Sequence, residues 1–588
     1  MSRNPSKSEV YHFDDVEVNC REFRILKAGQ PQKITPRAFE VLAFLIERGN
    51  CLVSKQELFE SVWKESFVSD NALTRMIKEV RRVIGDDADS PRYIETVPKL
   101  GYRFIAQVGT AGKNQPVSSQ ETQFESSISS IAVLPFTTSS NDPNNEYLSE
   151  GITENLINNL SQLSFLRVVP RSTVFYFQHR ETEPLAIGRK LNVRAVVTGR
   201  VVRRGETLIV STELIDVLKE AQLWGEKYHR PISDIFELQE EISQKIFGEL
   251  QLKLKPEEKE RLVHRPTQSV EAYRLYLKGR YFWNRRPRGL QRGIEYFEQA
   301  LEKDPDFALA YAGIADSYST LGSWENGAMA PTLAMPKACA AANKALSIDG
   351  SLAEAHTAIA YTKLHYEWDL KSAEEGFKRA LELNGSYVHA YHWLSHCYMA
   401  RGMIKESLEA SLRALELDPL DLIINSHLIW HYWLAREPDN ALIQAERTRE
   451  LNPSDGWAAF FAGLALEVKG EYDDAIAEFE KARTLSGDIT LTKAAQGHAL
   501  ACCGRPEHAR KIIEELEEQR KKMFVPAYDI AVIFSGMDEK ELALNWLEQA
   551  IDERSGWATY LAVEPRLDKL RRESRFSELI WRVGISRI

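Results

Sequence analysis

Apolar residues at Leu73, Ile77, Val80 and Ile84, with Met76 and Val83 beside them, recur at the period of an α-helix. Ser69-Asp70 stands just ahead of them, where a side-chain oxygen can cap the first free backbone N–H groups. The opposite face carries Asn71, Thr74, Arg75, Lys78, Arg81 and Arg82, and Glu79 is the only acid between Asn71 and Ile84. A helix with one apolar and one cationic face suits a DNA major groove, where side chains reach phosphates and base edges. It also suits a plain solvated surface helix. Downstream, Tyr93 to Val97 and Tyr102 to Ile105 read as a hairpin around Pro98-Lys99-Leu100-Gly101, with Lys99 at its tip. Upstream, alternation at Tyr11, Phe13, Val16, Val18, Phe23 and Ile25 predicts a small antiparallel sheet. Pro36–Glu47 and Lys55–Trp63 read as helices, and Ser54 with Glu57 has capping-box spacing. Trp63 reads equally as core packing or as part of a contact loop.

The pattern changes over residues 128–254. Strands are expected at Ile131–Phe136, Leu166–Val169, Arg194–Val202 and Thr207–Val217, the last two around Arg204-Gly205. Helices are expected at Tyr147–Leu160, Leu185–Leu191 and Ile232–Leu250. Strands alternating with helices make a small α/β domain. The text holds no phosphate-binding loop, no dinucleotide fingerprint and no nucleophile elbow. No nucleophile or acid–base pair has a partner at recognisable spacing, so no catalytic residue is assigned.

From Glu271 onward the chain repeats. Related text begins at Ala300, Ala345, Ala380, Ala414, Thr448, Ala482, Leu516 and Ala550, at spacings of 45, 35 and then 34 residues. That period, with small residues at Ala373, Ser407, Ala441, Ala475, Ala509 and Ala543, is the tetratricopeptide signature. Each helical hairpin must stack to bury its face, so a superhelix with a concave side follows. In the tetratricopeptide family, positions 2, 5, 9 and 12 of each first helix line that side. Tyr361, His389, His392, His396, Trp430, Trp433, Trp457 and Phe460 occupy such positions. Three readings stay open: seals between repeats, a groove for a peptide or small effector, or a metal site on the histidines. No carboxylate or thiol is placed as a further ligand, so neither metal nor cofactor is assigned. Leu561 to Ile588 reads as a capping tail.

Composition narrows the class. The 588 residues carry a net charge of −10, with 44% apolar and 27% charged residues, an ordinary globular balance. Residues 1–108 hold 17 Lys/Arg against 16 Asp/Glu, so the remainder is near −11. An acidic body behind one basic helix disfavours general coating of DNA. Nothing reaches the roughly 18 consecutive apolar residues of a membrane span. Met1 to Glu9 is polar, and Gly109 to Ser127 is a Ser/Gln/Gly-rich linker. The expectation is a cytoplasmic chain with no membrane contact and reduced thiols, as its six cysteines show no C-x-x-C spacing.

Two stretches resemble known families. Ile34 to Leu42, Val53 to Leu58, Val62-Trp63, the Asn71–Ile84 helix and Ile94 to Val97 with Gly101-Tyr102-Arg103 resemble the OmpR/PhoB-type winged-helix DNA-binding domain. The form is that of CadC-, ToxR- and HilA-like regulators. The resemblance implies a helix in the major groove and a wing on the backbone or minor groove. It points to Asn71, Thr74 and Arg75 as base readers, and to Lys78, Arg81 and Lys99 on phosphates, with Arg82 and Arg103 beside them. Lys78-Glu79 and Pro98 depart from family members that carry arginines there, which passes the wing contact to Lys99. Ser130 to Phe136, Glu150 to Glu154, Val169 to Ser172 and Leu223-Trp224 resemble the TolB amino-terminal-like domain.

The expected architecture is therefore multidomain. It comprises a winged helix-turn-helix (1–108), a linker (109–127), a small α/β domain (128–254) and an all-α tetratricopeptide superhelix (255–588). The expected function is a DNA-binding transcriptional regulator, an activator by its resemblance, that binds promoter DNA and touches RNA polymerase. Its C-terminal part would sense an effector or dock a partner. The rival is a signalling scaffold whose winged helix docks protein; a cyclase-related enzyme is third.

Overall fold

The computed structural model describes residues 10–110 and 128–585, apart from 15, 20–23, 28–29, 33, 50–51, 55–56, 59–69, 88–90, 98–100 and 107–108 in the first stretch and 139–142, 162, 164–165, 179–182, 251–264, 287, 324–327 and 488 in the second. The chain divides into two compact units, Met1–Glu125 and Ser126–Ile588.

The first unit holds two small sheets around two described helices. Strands β1 (Val10–Phe13), β2 (Val16–Asn19), β3 (Arg24–Lys27) and β4 (Gln30–Gln32) form an antiparallel meander. The alternating residues predicted to face inward do so: Phe13, Val16, Val18 and Ile25 are buried. Helix α1 (Pro36–Arg48) and helix α2 (Asp70–Ile84) pack on this sheet. A second sheet joins β5 (Leu52–Ser54), β6 (Ile94–Val97) and β7 (Gly101–Phe104) in the order β5-β7-β6. Phe13 ties the two sheets, with its ring 5.2 Å from Tyr93 and 5.1 Å from Phe104. Strand β8 (Gly109–Thr110) returns to pair with β1, so the first two residues assigned to the linker belong to the fold. The predicted helix Lys55–Trp63 and Trp63 itself lie largely outside the described residues.

In the second unit, β9 (Ser130–Val133) is flanked by parallel neighbours β11 (Arg167–Val168) and β12 (Ala195–Arg204). The short β10 (Thr137–Thr138) also pairs with β12. Antiparallel β13 (Thr207–Asp216) and β14 (Ala221–Pro231) complete the sheet. Gly205, at φ +61°, makes the β12–β13 turn that the sequence marked. Strand β14 was not foreseen, because it buries little beyond Tyr228 and shows no apolar alternation. Helices α3 (Pro143–Ser161), α4 (Arg171–Phe175), α5 (Pro184–Lys190) and α6 (Ile235–Glu249) cover the sheet.

Eight helix pairs follow among the described residues, from Val270–Trp283 to Lys540–Asp552, as the 34-residue period required. The small residues at the predicted close approaches, Ala373 to Ala543, are all buried. One apolar core runs from the α/β sheet through Tyr273, Leu277, Phe297 and Ala342 of the repeats. Beside that apolar contact the seam also carries charge. Glu154 of α3 accepts from Arg280 at 2.7 Å and from Arg171 at 3.1 Å, and Glu150 accepts from Arg285 at 2.9 Å. Burial alone would raise the Glu154 carboxyl, but Arg280 and Arg171 outweigh it and hold it below its usual range.

At its other end the α/β domain touches the fourth and fifth repeats. Thr173 donates to Asp418 at 2.7 Å, and Ser172 donates to the same carboxylate. Burial, with Asp421 nearby, pushes Asp418 up to about 7. A carboxyl raised in the folded state contributes stability that is fully present below its unfolded value. That contribution is lost as pH rises through the folded one, here between about 4 and 7. Asp418→Asn should therefore flatten the pH dependence of thermal unfolding across this window. It should also stabilise the protein at pH 8 by on the order of 1 kcal/mol. An unchanged slope would separate Asp418 from this behaviour.

Candidate nucleic-acid interface and repeat interior

Helix α2 buries Leu73, Ile77, Val80, Val83 and Ile84, as its period predicted. At about 100° per residue, Asn71, Thr74, Arg75, Lys78 and Arg82 share one arc of about 100° on the far side. Lys78 and Arg82 are exposed. Asn71, Thr74 and Arg75 sit in the first turns of the helix, and their side chains lie outside the described residues, as does Lys99.

Arg81 does not belong to that surface. It is buried, and its guanidinium donates to Ile94 O at 2.7 Å and to Thr96 Oγ1 at 2.9 Å, with Asp86 3.6 Å away. Asp86 in turn accepts from the backbone N–H groups of Arg92, Tyr93 and Ile94 at 2.7, 3.1 and 2.9 Å. Arg81 and Asp86 thus lock the helix to the wing, and the phosphate role expected for Arg81 is corrected. Its position at the edge of the arc, next to the Ile77 face, lets the long side chain turn inward. Glu79 is structural too. Its carboxylate accepts from the Thr35 N–H at 2.8 Å and the Thr35 hydroxyl at 2.9 Å, at the start of α1. On the wing, Arg103 pairs with its cross-strand partner Glu95 at 3.0 Å.

The repeat interior departs further from expectation. His389 is exposed and Trp457 half-buried, but Tyr361, His392, His396, Trp430, Trp433 and Phe460 are buried. The chain itself covers part of this group, so these residues do not form an open groove. The 3-10 turn Gly556–Tyr560 enters the arc of repeats. Tyr560 packs edge-on to Trp430 at 4.7 Å, and Trp557 lies 6.3 Å from Trp433. Arg566, buried and paired with Glu564 at 2.8 Å, lies over both Trp433 and Trp557. Arg554 donates to Tyr366 O at 3.1 Å, and Arg436 to Asp568 at 2.8 Å. The superhelix therefore closes on its own C-terminal segment.

Histidines beyond those singled out in the sequence gather here. His427 and His431 fall at positions 6 and 10 of their helix, one step round from the lining positions, and face the preceding repeat. His431 lies 3.0 Å from both Ser395 Oγ and Ser407 Oγ. His365 comes from a π-turn, Lys363–Glu367, that the repeat pattern did not signal. Burial lowers His365 to about 3 and takes His392, His396 and His431 well below the ordinary histidine value.

Residues 29–104 match the family described as transcriptional regulatory protein, C terminal. Residues 126–245 match the second domain of HilA/YgeH-like transcriptional regulators, and 388–419 and 428–488 match tetratricopeptide repeats. The chain carries an OmpR/PhoB-type regulatory domain, a HilA-like second domain and tetratricopeptide repeats. The HilA-like domain occupies the stretch whose text resembles a TolB amino-terminal-like domain. The transcriptional regulator HilA of Salmonella typhimurium is 24% identical over 96% of this chain and 99% of its own length. Putative adenylate cyclase 3 of Rhizobium meliloti is 33% identical over 39% of this chain, and the match spans only 39% of that relative. The solved DNA-binding domain of Escherichia coli CadC is 30% identical, with a TM-score of 0.16, over 18% of this chain and 99% of that domain. No described helix is long and apolar enough to cross a membrane.

Two outcomes follow for this OmpR/PhoB-type domain and its repeats. Arg81→Ala should destabilise the first unit by about 2–4 kcal/mol, because it strips Asp86 of its buried cation. Urea denaturation measures this, and a variant as stable as the parent would contradict the lock. Trp430→Ala should cost about 3–5 kcal/mol in the repeat unit, whereas an open groove residue would cost little.

Proposed function

We propose that this protein is a cytoplasmic, sequence-specific DNA-binding transcriptional regulator of the HilA kind, acting as an activator. The observation that carries the proposal is the winged-helix geometry of the first unit together with likeness to HilA along nearly the whole chain. Helix α2 enters the major groove, with Lys78 and Arg82 on phosphates and Asn71, Thr74 and Arg75 toward base edges. Lys99, between β6 and β7 in the sequence, is the wing residue this reading assigns to the backbone or the minor groove. Arg103 orders the wing through Glu95 rather than serving as a main contact. The α/β and repeat unit docks a protein partner or effector, and RNA polymerase is the partner the family resemblance suggests. The buried part of the aromatic repeat interior is not that dock, since the C-terminal segment covers it, which leaves exposed His389 and half-buried Trp457 as the groove residues open to a partner. No catalytic role is proposed; the match to the cyclase-named relative covers a minority of both chains.

The salt dependence of binding to promoter duplex tests the assignment. Lys78→Ala should weaken binding to all sequences alike and reduce the slope of log K against log salt by about one unit. A folded Arg81→Ala protein should keep the parent slope. The rival scaffold reading, in which the winged helix docks protein, predicts no duplex affinity even at about 50 mM salt.

A further inference from the structure

The interior of the closed repeat ring holds one cluster that the regulatory reading does not use. His392 and His396 lie one turn apart on the helix Val388–Ala400, and His427 faces them from Leu422–Leu434 of the next repeat. A ring nitrogen from each of the three lies within 4.8 Å of the others. His396 Nε2 and His427 Nδ1 are 3.0 Å apart. Two imidazoles bound to one tetrahedral ion, each at about 2.0–2.1 Å, place their nitrogens about 3.3 Å apart. The two nitrogens share one proton in a hydrogen bond, an ion would take that proton's place at nearly the same separation, and His392, within 4.8 Å, moves in to close the third side.

His392 supplies the second, independent observation. It is 2% exposed, and neither of its ring nitrogens has a hydrogen-bond partner among the described residues. Burying an imidazole without partners is costly, and binding a cation removes part of that cost. His431, by contrast, is satisfied at both nitrogens by serines. Tyr560 Oη lies 3.1 Å from His396 Nδ1 and 3.0 Å from His365 Nε2. If His396 Nδ1–H donates to Tyr560 and Tyr560 donates to His365, the lone pair of His396 Nε2 is aimed at the cluster. This is the outer-shell support that metal-binding histidines use, and Tyr560 would act as a positioning residue.

We propose that His392, His396 and His427 bind a divalent late first-row transition metal ion, of which zinc(II) is the representative. Three neutral imidazoles with no grouped carboxylate select such ions over magnesium or calcium. The ion bridges the fourth and fifth repeats. Through Tyr560 it also reinforces the C-terminal segment that closes the ring. Three protein ligands leave a fourth position for a small donor such as water.

The test uses the full chain, stripped with chelator and titrated with cobalt(II) and then zinc(II). One equivalent of cobalt(II) should give the visible bands of a four-coordinate, nitrogen-rich site, and zinc(II) should displace it and raise the melting temperature. A parent protein with no saturable equivalent and no such bands overturns the proposal. His392→Phe removes both unpartnered nitrogens without breaking a hydrogen bond. It should keep the parent circular dichroism and lose metal affinity by at least about 100-fold, the upper end of what losing an outer-shell partner costs. Equal affinity in that folded variant overturns the proposal as well. If the variant does not fold, X-ray absorption of the zinc-loaded parent decides: three imidazoles in the first shell support the site, and a shell of oxygens alone refutes it.

Discussion

Tyr560 places one hydroxyl between two buried imidazoles that lie 164 and 195 residues before it in the chain. Around that contact, Trp557, Arg566 and the 3-10 turn fill what an open tetratricopeptide arc would leave to solvent. A repeat array is ordinarily a sum of nearest-neighbour interfaces. Here a non-local contact joins the third to fifth repeats to the end of the chain, so those repeats gain partners that stacking alone does not supply. The buried aromatic and histidine side chains are intelligible only with this closure, since large apolar patches in water are a liability.

The α/β domain extends the same logic in the other direction. Its helix α3 presents Glu146, Glu150 and Glu154 to Tyr281, Arg285 and Arg280 of the first repeat. Its short α4 reaches Asp418 at the junction of the fourth and fifth repeats. The Glu150–Glu154 and Pro170–Ser172 text that resembles the TolB amino-terminal-like domain is thus largely seam. Two separated anchors make the domain and the repeats one compact unit.

The DNA-facing unit is simpler and its electrostatics more local. Arg81, Asp86 and Glu79 are spent on holding α2 against the wing and against α1. Among the described residues, Lys78 and Arg82 stand exposed on the outer arc of α2.

Periodicity alone determined a great deal. The 3.6-residue pattern placed α2 and its inner face, alternation placed the first sheet, and the 34-residue period set eight helix pairs and their close-packed small residues. These are properties of neighbours in the chain, and a repeat or a stripe encodes them directly. What the tertiary structure alone decided are contacts between distant positions. Arg81 sits at the margin of a cationic face, and only the approach of Ile94 and Thr96 turns it inward. Position within a repeat told which way Trp430 and His396 point, toward the inside of a superhelix. Whether that inside is solvent or core depends on where residues 556–567 return, which no local pattern records. His427 and His365 escaped notice for the same reason: one lies a step off the lining register, and the other sits in a π-turn that breaks it.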